Sequence, residues 1–294
     1  MWDREAWERE KSTWPNHHLS RFVEAANIRW HVQEWGEGAP LLLVHGTGAS
    51  THSWRDVLTI LARHYSVLAV DLPGHGFTSS VDGARGSIAG MSESMSALLG
   101  VLRFNPMYCV GHSAGAVILC RMALDRLIEP RVIISINGAF VPLGGPAGVL
   151  FSPLAKLLAR SSYLPRFLSW RGARPENVAR VLDGTGSRVD AAGLDLYTRL
   201  VRNPKHVAGA LVMMGNWDLQ AFARDLPRLS TPLALIVGAN DRTVPPQQAL
   251  EVKQRVPSAT LCMLPGLGHL AHEEQPALAA QEILRICRAH GGPA

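Results

Sequence analysis

Val110-Gly111-His112-Ser113-Ala114-Gly115 lies between two apolar runs of different character. Met107-Tyr108-Cys109 before it is short enough to be one buried strand, and Ala116-Val117-Ile118-Leu119-Cys120-Arg121-Met122-Ala123 behind it reads as a helix. A strand, a Gly-x-Ser-x-Gly turn and a helix make a nucleophile elbow, in which the serine is held on a strained turn with its hydroxyl presented at the top of a sheet. Gly111 and Gly115 fit that reading because the turn brings its helix so close to neighbouring strands that a side chain would collide. The pentapeptide alone is common, so the rest of the chain has to supply the sheet and the chemistry.

Working outward, the sheet is there. Leu41-Leu42-Leu43-Val44, Val67-Leu68-Ala69-Val70, Val132-Ile133-Ile134-Ser135-Ile136, Pro232-Leu233-Ala234-Leu235-Ile236-Val237 and Thr260-Leu261-Cys262-Met263-Leu264 are short apolar runs expected for strands covered on both faces. Helices are expected over 53–63, 91–102, 246–255 and 276–290. Residues 21–35 alternate and break at Ala26-Asn27, which predicts a hairpin. Strand and helix in alternation imply an α/β fold with a mostly parallel central sheet flanked by helices. From 141 to 215 the rhythm fails, leaving Gly/Pro-punctuated segments with helical spacing such as Leu154, Leu157, Leu158, Val207 and Leu211. The expected organisation is a leader over 1–20, a core over 21–140 and 216–294, and a helical cap inserted over 141–215.

The 294 residues are 47% hydrophobic and 18% charged, as in a soluble globular protein with a sizeable core. The net charge of +5 is uneven: residues 141–215 hold ten Lys or Arg against four acids. Cys109, Cys120, Cys262 and Cys287 are widely spaced within apolar patterns, with no metal or redox spacing, and are expected to be small buried hydrophobes in a reducing compartment. The first eleven residues alternate charges, unlike a signal peptide, and no uncharged apolar window is long enough to span a membrane. The expected location is cytoplasmic, with contact at a membrane periphery through the basic cap as one option. Nucleic acid is not an expected partner. The leader carries Trp2, Trp7 and Trp14, which favours packing onto the body or onto a partner.

A serine hydroxyl needs a base within reach and a third group that fixes the base. Gly238-Ala239-Asn240-Asp241 follows one strand and Pro265-Gly266-Leu267-Gly268-His269 follows the next. Ser113, Asp241 and His269 thus all fall at the carboxyl edge of parallel strands, where sites form. Taken singly, an aspartate after a strand is usually a turn former or helix cap, and a histidine near a glycine is usually a loop residue. An oxyanion needs two backbone N–H donors: Ala114 follows the nucleophile, and Thr47 lies in His45-Gly46-Thr47-Gly48 after an earlier strand. His45, His52, His75, His112 and His272 form no metal-ligand pattern; His112 follows from the elbow, and His45 and His75 are expected to fix loops. Gly46-x-Gly48 lacks the dinucleotide fingerprint. Neither a metal nor a cofactor is expected.

With these residues the chain resembles the α/β-hydrolase superfamily from about Arg21 to His290, including its Ser, acid, His order. It is most similar to the magnesium-chelatase accessory proteins of bacteriochlorophyll biosynthesis. That resemblance is carried by Trp14-Pro15-Asn16, by His45 through Arg55, by Asp71-Leu72-Pro73-Gly74-His75-Gly76-Phe77-Thr78, by Gly111 through Gly115, and by Leu264 through Glu274. It implies a place in pigment synthesis near magnesium insertion into a porphyrin, with the chelatase subunits as partners, and does not fix a reaction. Four readings stay open. One is a serine hydrolase acting on an ester or related acyl bond. The others are a non-hydrolytic accessory binding a porphyrin or the chelatase, a cofactor-free lyase or perhydrolase-like enzyme, and a membrane-surface module. Apolar cap segments (148–151 and 167–170) beside the basic surplus suit a flat macrocycle bearing propionates or an anionic membrane face, and equally suit a merely solvated insertion.

Overall fold

A computed structural model describes residues 4–80, 83–142 and 163–292. The chain begins with helix α1 (Arg4–Glu10), then enters strands β1 (Ser20–Ala25), β2 (Ile28–Trp35) and β3 (Pro40–Val44). Helix α2 (Arg55–Leu61), β4 (Ser66–Val70), α3 (Ile88–Leu102), β5 (Tyr108–His112), α4 (Ala114–Leu124) and β6 (Val132–Ile136) follow in alternation. After β6 come α5 (Leu164–Gly172), α6 (Pro175–Gly184), α7 (Ala191–Arg202), α8 (Pro204–Asn216) and α9 (Leu219–Asp225), with no strand among the described residues. The alternation then resumes with β7 (Leu233–Gly238), α10 (Gln247–Arg255), β8 (Thr260–Leu264), α11 (Ala271–Glu274) and α12 (Pro276–Ala289). The expected cap segment 148–151, Leu154, Leu157 and Leu158 lie outside the described residues.

The eight strands form one sheet in the order β1-β2-β4-β3-β5-β6-β7-β8. Only the β1–β2 and β2–β4 pairings are antiparallel; every pair from β4 to β8 is parallel. Parallel strands need covering on both faces, which is why their sequences are apolar throughout. Leu42 and Val44 of β3 join the core under α3 and α4, while Leu41 and Leu43 face the opposite core with α2 and α12. The hairpin between β1 and β2 turns at Ala26 and Asn27, both left-handed (φ 53° and 58°), as a tight two-residue connection requires.

Several boundaries differ from the sequence pattern. The helix expected over 53–63 opens as a tight turn, Thr51–Trp54, capped by the Ser50 side chain, and is α-helical only over Arg55–Leu61. The helix expected from 91 begins at Ile88 because Ser87 caps the Gly90 N–H. Cys109, Cys120 and Cys287 are buried and all four cysteines are free, but Cys262 is only half-buried, its Sγ 3.6 Å from the Glu282 carboxylate. Burial pushes the Cys287 thiol up to about 12, which keeps it unreactive.

The N-terminal segment packs onto the body. Trp7 and Trp14 both meet Phe77 edge-on, at 4.9 and 4.8 Å between ring centroids, and Leu196 and Leu200 of α7 complete that cluster. Arg199 of α7 donates to Glu10 (3.3 Å) and Thr13 (2.6 Å). Trp2 lies outside the described residues.

Candidate active site

β5 delivers Ser113 to the carboxyl edge of the sheet. The Ser113 N–H donates to Ile136 O at 2.9 Å, anchoring the turn to β6 before α4 begins. Ser113 has φ 50° and ψ −114°, a backbone state that persists only where the surroundings over-determine it. They do so here: a Cβ on Gly111 would stand 2.4 Å from Ala116 N, and one on Gly115 2.2 Å from Val44 O. The strand-to-helix turn can pack this tightly only with glycine at both positions.

β7 and β8 deliver the other two groups. Asp241 is buried, with Oδ1 accepting the Thr243 and Val244 N–H groups (both 2.8 Å) and Oδ2 lying 2.7 Å from His269 Nδ1. With the carboxylate accepting, Nδ1 carries the hydrogen and Nε2 is the basic nitrogen. The Ser113 hydroxyl makes no hydrogen bond to His269 or to any other described residue. The two are linked through the chain instead, since His112 Nε2 donates to His269 O at 2.9 Å. His112 therefore does more than fill the elbow. Burial, then His272 and His269, hold its pKa well below the ordinary value, so it stays neutral with Nε2 as donor. His272 packs against both His112 and Trp54 at 4.5 Å, and burial lowers it to about 3.

Loop 45–48 runs beside Ser113: a Cβ on Gly46 would stand 3.0 Å from Ser113 Cβ and 2.8 Å from His112 Nδ1. Neither the Thr47 nor the Ala114 N–H donates to a described group, so both are available to a ligand. The Thr47 hydroxyl points to Met213 Sδ of α8 at 3.4 Å. His45 and His75 tie loops: His45 Nδ1 donates to Gly46 O while its Nε2 accepts from Leu72 N–H, and His75 Nδ1 donates to Pro73 O. Among the described residues no group of three or more His, Cys, Asp or Glu could hold a metal ion.

Five positions that the sequence pattern did not single out hold this edge together. Asn137, just past β6, donates to Gly268 O (3.0 Å) and His269 O (2.8 Å) and accepts from Gly238 N–H (2.8 Å). The Asn-Gly pair was its only sequence signal, and the structure holds it at a left-handed φ of 49°. Ser187, between α6 and α7, accepts from Leu270 N–H at 2.7 Å, while Thr185 O accepts from Arg242 and His269 N–H. His206 of α8 donates from Nε2 to Gly48 O (3.1 Å) and accepts at Nδ1 from Gly76 N–H (3.0 Å). That bridging needs a neutral ring, and burial lowers His206 to about 4. Glu273, four residues past His269, accepts from Tyr197 Oη (2.6 Å) and Arg55 Nη1 (3.0 Å). Val178 and Leu182 of α6 pack with Tyr197 on Ala49 and Leu270, one residue from Gly48 and His269 respectively.

Comparison with known proteins gives the site a context. The model of the alpha/beta hydrolase family matches residues 41–282. The chain is 38% identical to the magnesium-chelatase 30 kDa subunit of Rhodobacter capsulatus over 89% of its own length and 92% of that protein. It is 28% identical to the pimeloyl-[acyl-carrier protein] methyl ester esterase of Nitrosospira multiformis, over 89% of this chain and 99% of that one. An alpha/beta hydrolase fold protein from Burkholderia ambifaria superposes with a TM-score of 0.74 at 22% identity, covering 91% of this chain and 97% of that chain, which shows a shared fold.

Proposed function

The chain belongs to the alpha/beta hydrolase family, and from that premise we propose that it is a serine hydrolase cleaving an ester or related acyl bond, working alongside magnesium chelatase in bacteriochlorophyll synthesis. The observation that carries the chemistry is the 2.7 Å contact from His269 Nδ1 to a buried, doubly N–H-bonded Asp241, at the same sheet edge as the elbow Ser113. In this reading His269 Nε2 takes the Ser113 proton as Oγ attacks the acyl carbon, and the developing oxyanion accepts from the Thr47 and Ala114 N–H groups. Collapse expels the alcohol, which receives that proton from His269. Water, deprotonated by the same nitrogen, then releases the acid from acyl-Ser113. Asp241 keeps the imidazole in the required tautomer and stabilises the imidazolium. Each oxyanion donor of this kind is worth about 2.7–4 kcal/mol of barrier. The helices α5 to α8 act as a cap over the site, since Met213, His206, Ser187 and Val178 reach its loops.

The test is labelling with a serine-directed phosphonate. Wild-type protein is expected to react at Ser113, and Ser113→Ala to keep its circular dichroism and lose the label; equal labelling of the variant would place the nucleophile elsewhere. A second reading is supported by the 38% identical chelatase subunit: an accessory that binds the chelatase or a porphyrin without hydrolysis. Complementation separates the two. If Ser113→Ala, at matched abundance, restores magnesium-porphyrin in a pigment-forming host lacking this protein, the accessory reading stands and the hydrolase reading fails.

A further inference from the structure

Ten large apolar side chains stand exposed among the described residues, and five of them, Tyr163, Phe167, Leu168, Trp170 and Val181, fall between residues 163 and 181. Helix α5 is inverted relative to an ordinary surface helix, which turns its apolar stripe inward. Its buried residues are Pro165 and Ser169, whereas Phe167 and Trp170 are 51% and 72% exposed. Helix α6 is two-faced: Val178 and Leu182 face the site loops, and Val181 points outward at 69% exposure. Leu168, Trp170, Val181, Arg171, Arg174 and Arg180 line an open groove of about 550 Å³, which the α6 acids Glu176 and Asp183 do not line. Among the described residues none of these three arginines is held in an ion pair; Arg180 donates only to Asn177 Oδ1. The surrounding sequence has the same sign, with six Lys or Arg and no Asp or Glu from Pro130 to Pro175.

We propose that the outer face of α5 and α6 docks on an anionic lipid bilayer, with Phe167, Trp170 and Val181 at the headgroup–acyl boundary and Arg171, Arg174 and Arg180 on lipid phosphates. Aromatic rings and cations standing together on an exposed face match that boundary. A small-molecule site would wall its apolar contacts in, whereas Phe167, Trp170 and Val181 each stay at least half exposed. A second copy on a two-fold axis would bring like-charged arginine clusters together. No helix among the described residues is long and apolar enough to cross a membrane, so the attachment is peripheral. Val178 and Leu182 on the site side and Arg180 and Val181 on the docking side belong to the same helix, which places a membrane about one helix away from the loop of His269. This assignment is independent of the hydrolytic reading.

The test is co-sedimentation of the full chain with vesicles of phosphatidylcholine alone and with about 30 mol % phosphatidylglycerol. Partitioning is expected to be at least about tenfold stronger on the anionic vesicles and to weaken with added salt. Arg171→Gln/Arg174→Gln/Arg180→Gln should remove the anionic preference, and Phe167→Ser/Trp170→Ser should lower binding to anionic vesicles. Both variants change exposed residues and should keep phosphonate labelling, while Ser113→Ala should still bind vesicles. Equal partitioning on both vesicle types, no partitioning at all, or unchanged binding by either variant would overturn the proposal. So would a concentration-dependent dimer that replaces vesicle binding and is lost in the arginine variant, which would assign the face to a second copy.

Discussion

At the scale of single residues, Asn137 is the joint between three strand ends, because its amide spends both donors on the carbonyls of residues 268 and 269 and its oxygen on the Gly238 N–H. Asn137→Ala strands those groups in a buried place, and is expected to cost about 1–3 kcal/mol in urea unfolding. It also frees the His269 loop to drift, so labelling of Ser113 by phosphonate should slow by roughly tenfold or more. An unchanged labelling rate would reduce Asn137 to a structural role. The placement of Ser113, Asp241 and His269 at one sheet edge was legible in the sequence because each follows its own apolar run. Asn137 was not, because an Asn-Gly pair after a strand reads as a turn; its importance depends on where two other strands finish. Thr185, Ser187 and His206 escaped for the same reason, as their partners lie more than fifty residues away.

At the scale of elements, the strands were the most readable part, since a run buried on both faces has no polar alternation to confuse it. The helices between β6 and β7 were readable only as helices. Which loops they rest on is set by close approaches such as that of α8, where a Cβ on Gly209 would stand 2.0 Å from Gly74 O. Backbone of a helix meets backbone of a loop there, and neither can yield as a flexible side chain would. Gly209→Ala is therefore expected to push α8 off the 74–76 loop, breaking the His206 bridge and moving Met213 away from Thr47, while the sheet stays folded. The check is a pair of measurements: hydrogen exchange should rise across Pro204–Asn216 with β5 and β6 still protected, and labelling of Ser113 should change. The inverted α5 belongs to this scale too, since its spacing predicts a helix but gives no sign that its aromatic face is exposed among the described residues.

At the scale of the whole molecule, Glu273 joins the two parts of the chain, held between Arg55 beside the sheet and Tyr197 of α7. Burial raises its pKa from 4.5 to about 7, against the opposing pull of Tyr197 and Arg55. The folded protein thus holds this proton more tightly than the unfolded chain, and its stability from this group is full below about pH 4.5 and is lost as pH rises through 7. Compared with Glu273→Gln, which cannot titrate, wild-type stability should fall by something on the order of 3 kcal/mol across that window. Urea unfolding of both proteins at stepped pH measures it, and parallel curves would refute it. The N-terminal segment spans the molecule in another way. Arg199 reaches Glu10 across 189 residues of sequence, and Trp7 and Trp14 complete their cluster only when Leu196 and Leu200 are present. At translation rates of about 5–20 residues per second, the segment waits roughly 10–40 s before its partners on α7 exist. The α7 side of the tryptophans' cluster is made more than 180 residues later, so the clasp between α1 and α7 closes as a late event of synthesis.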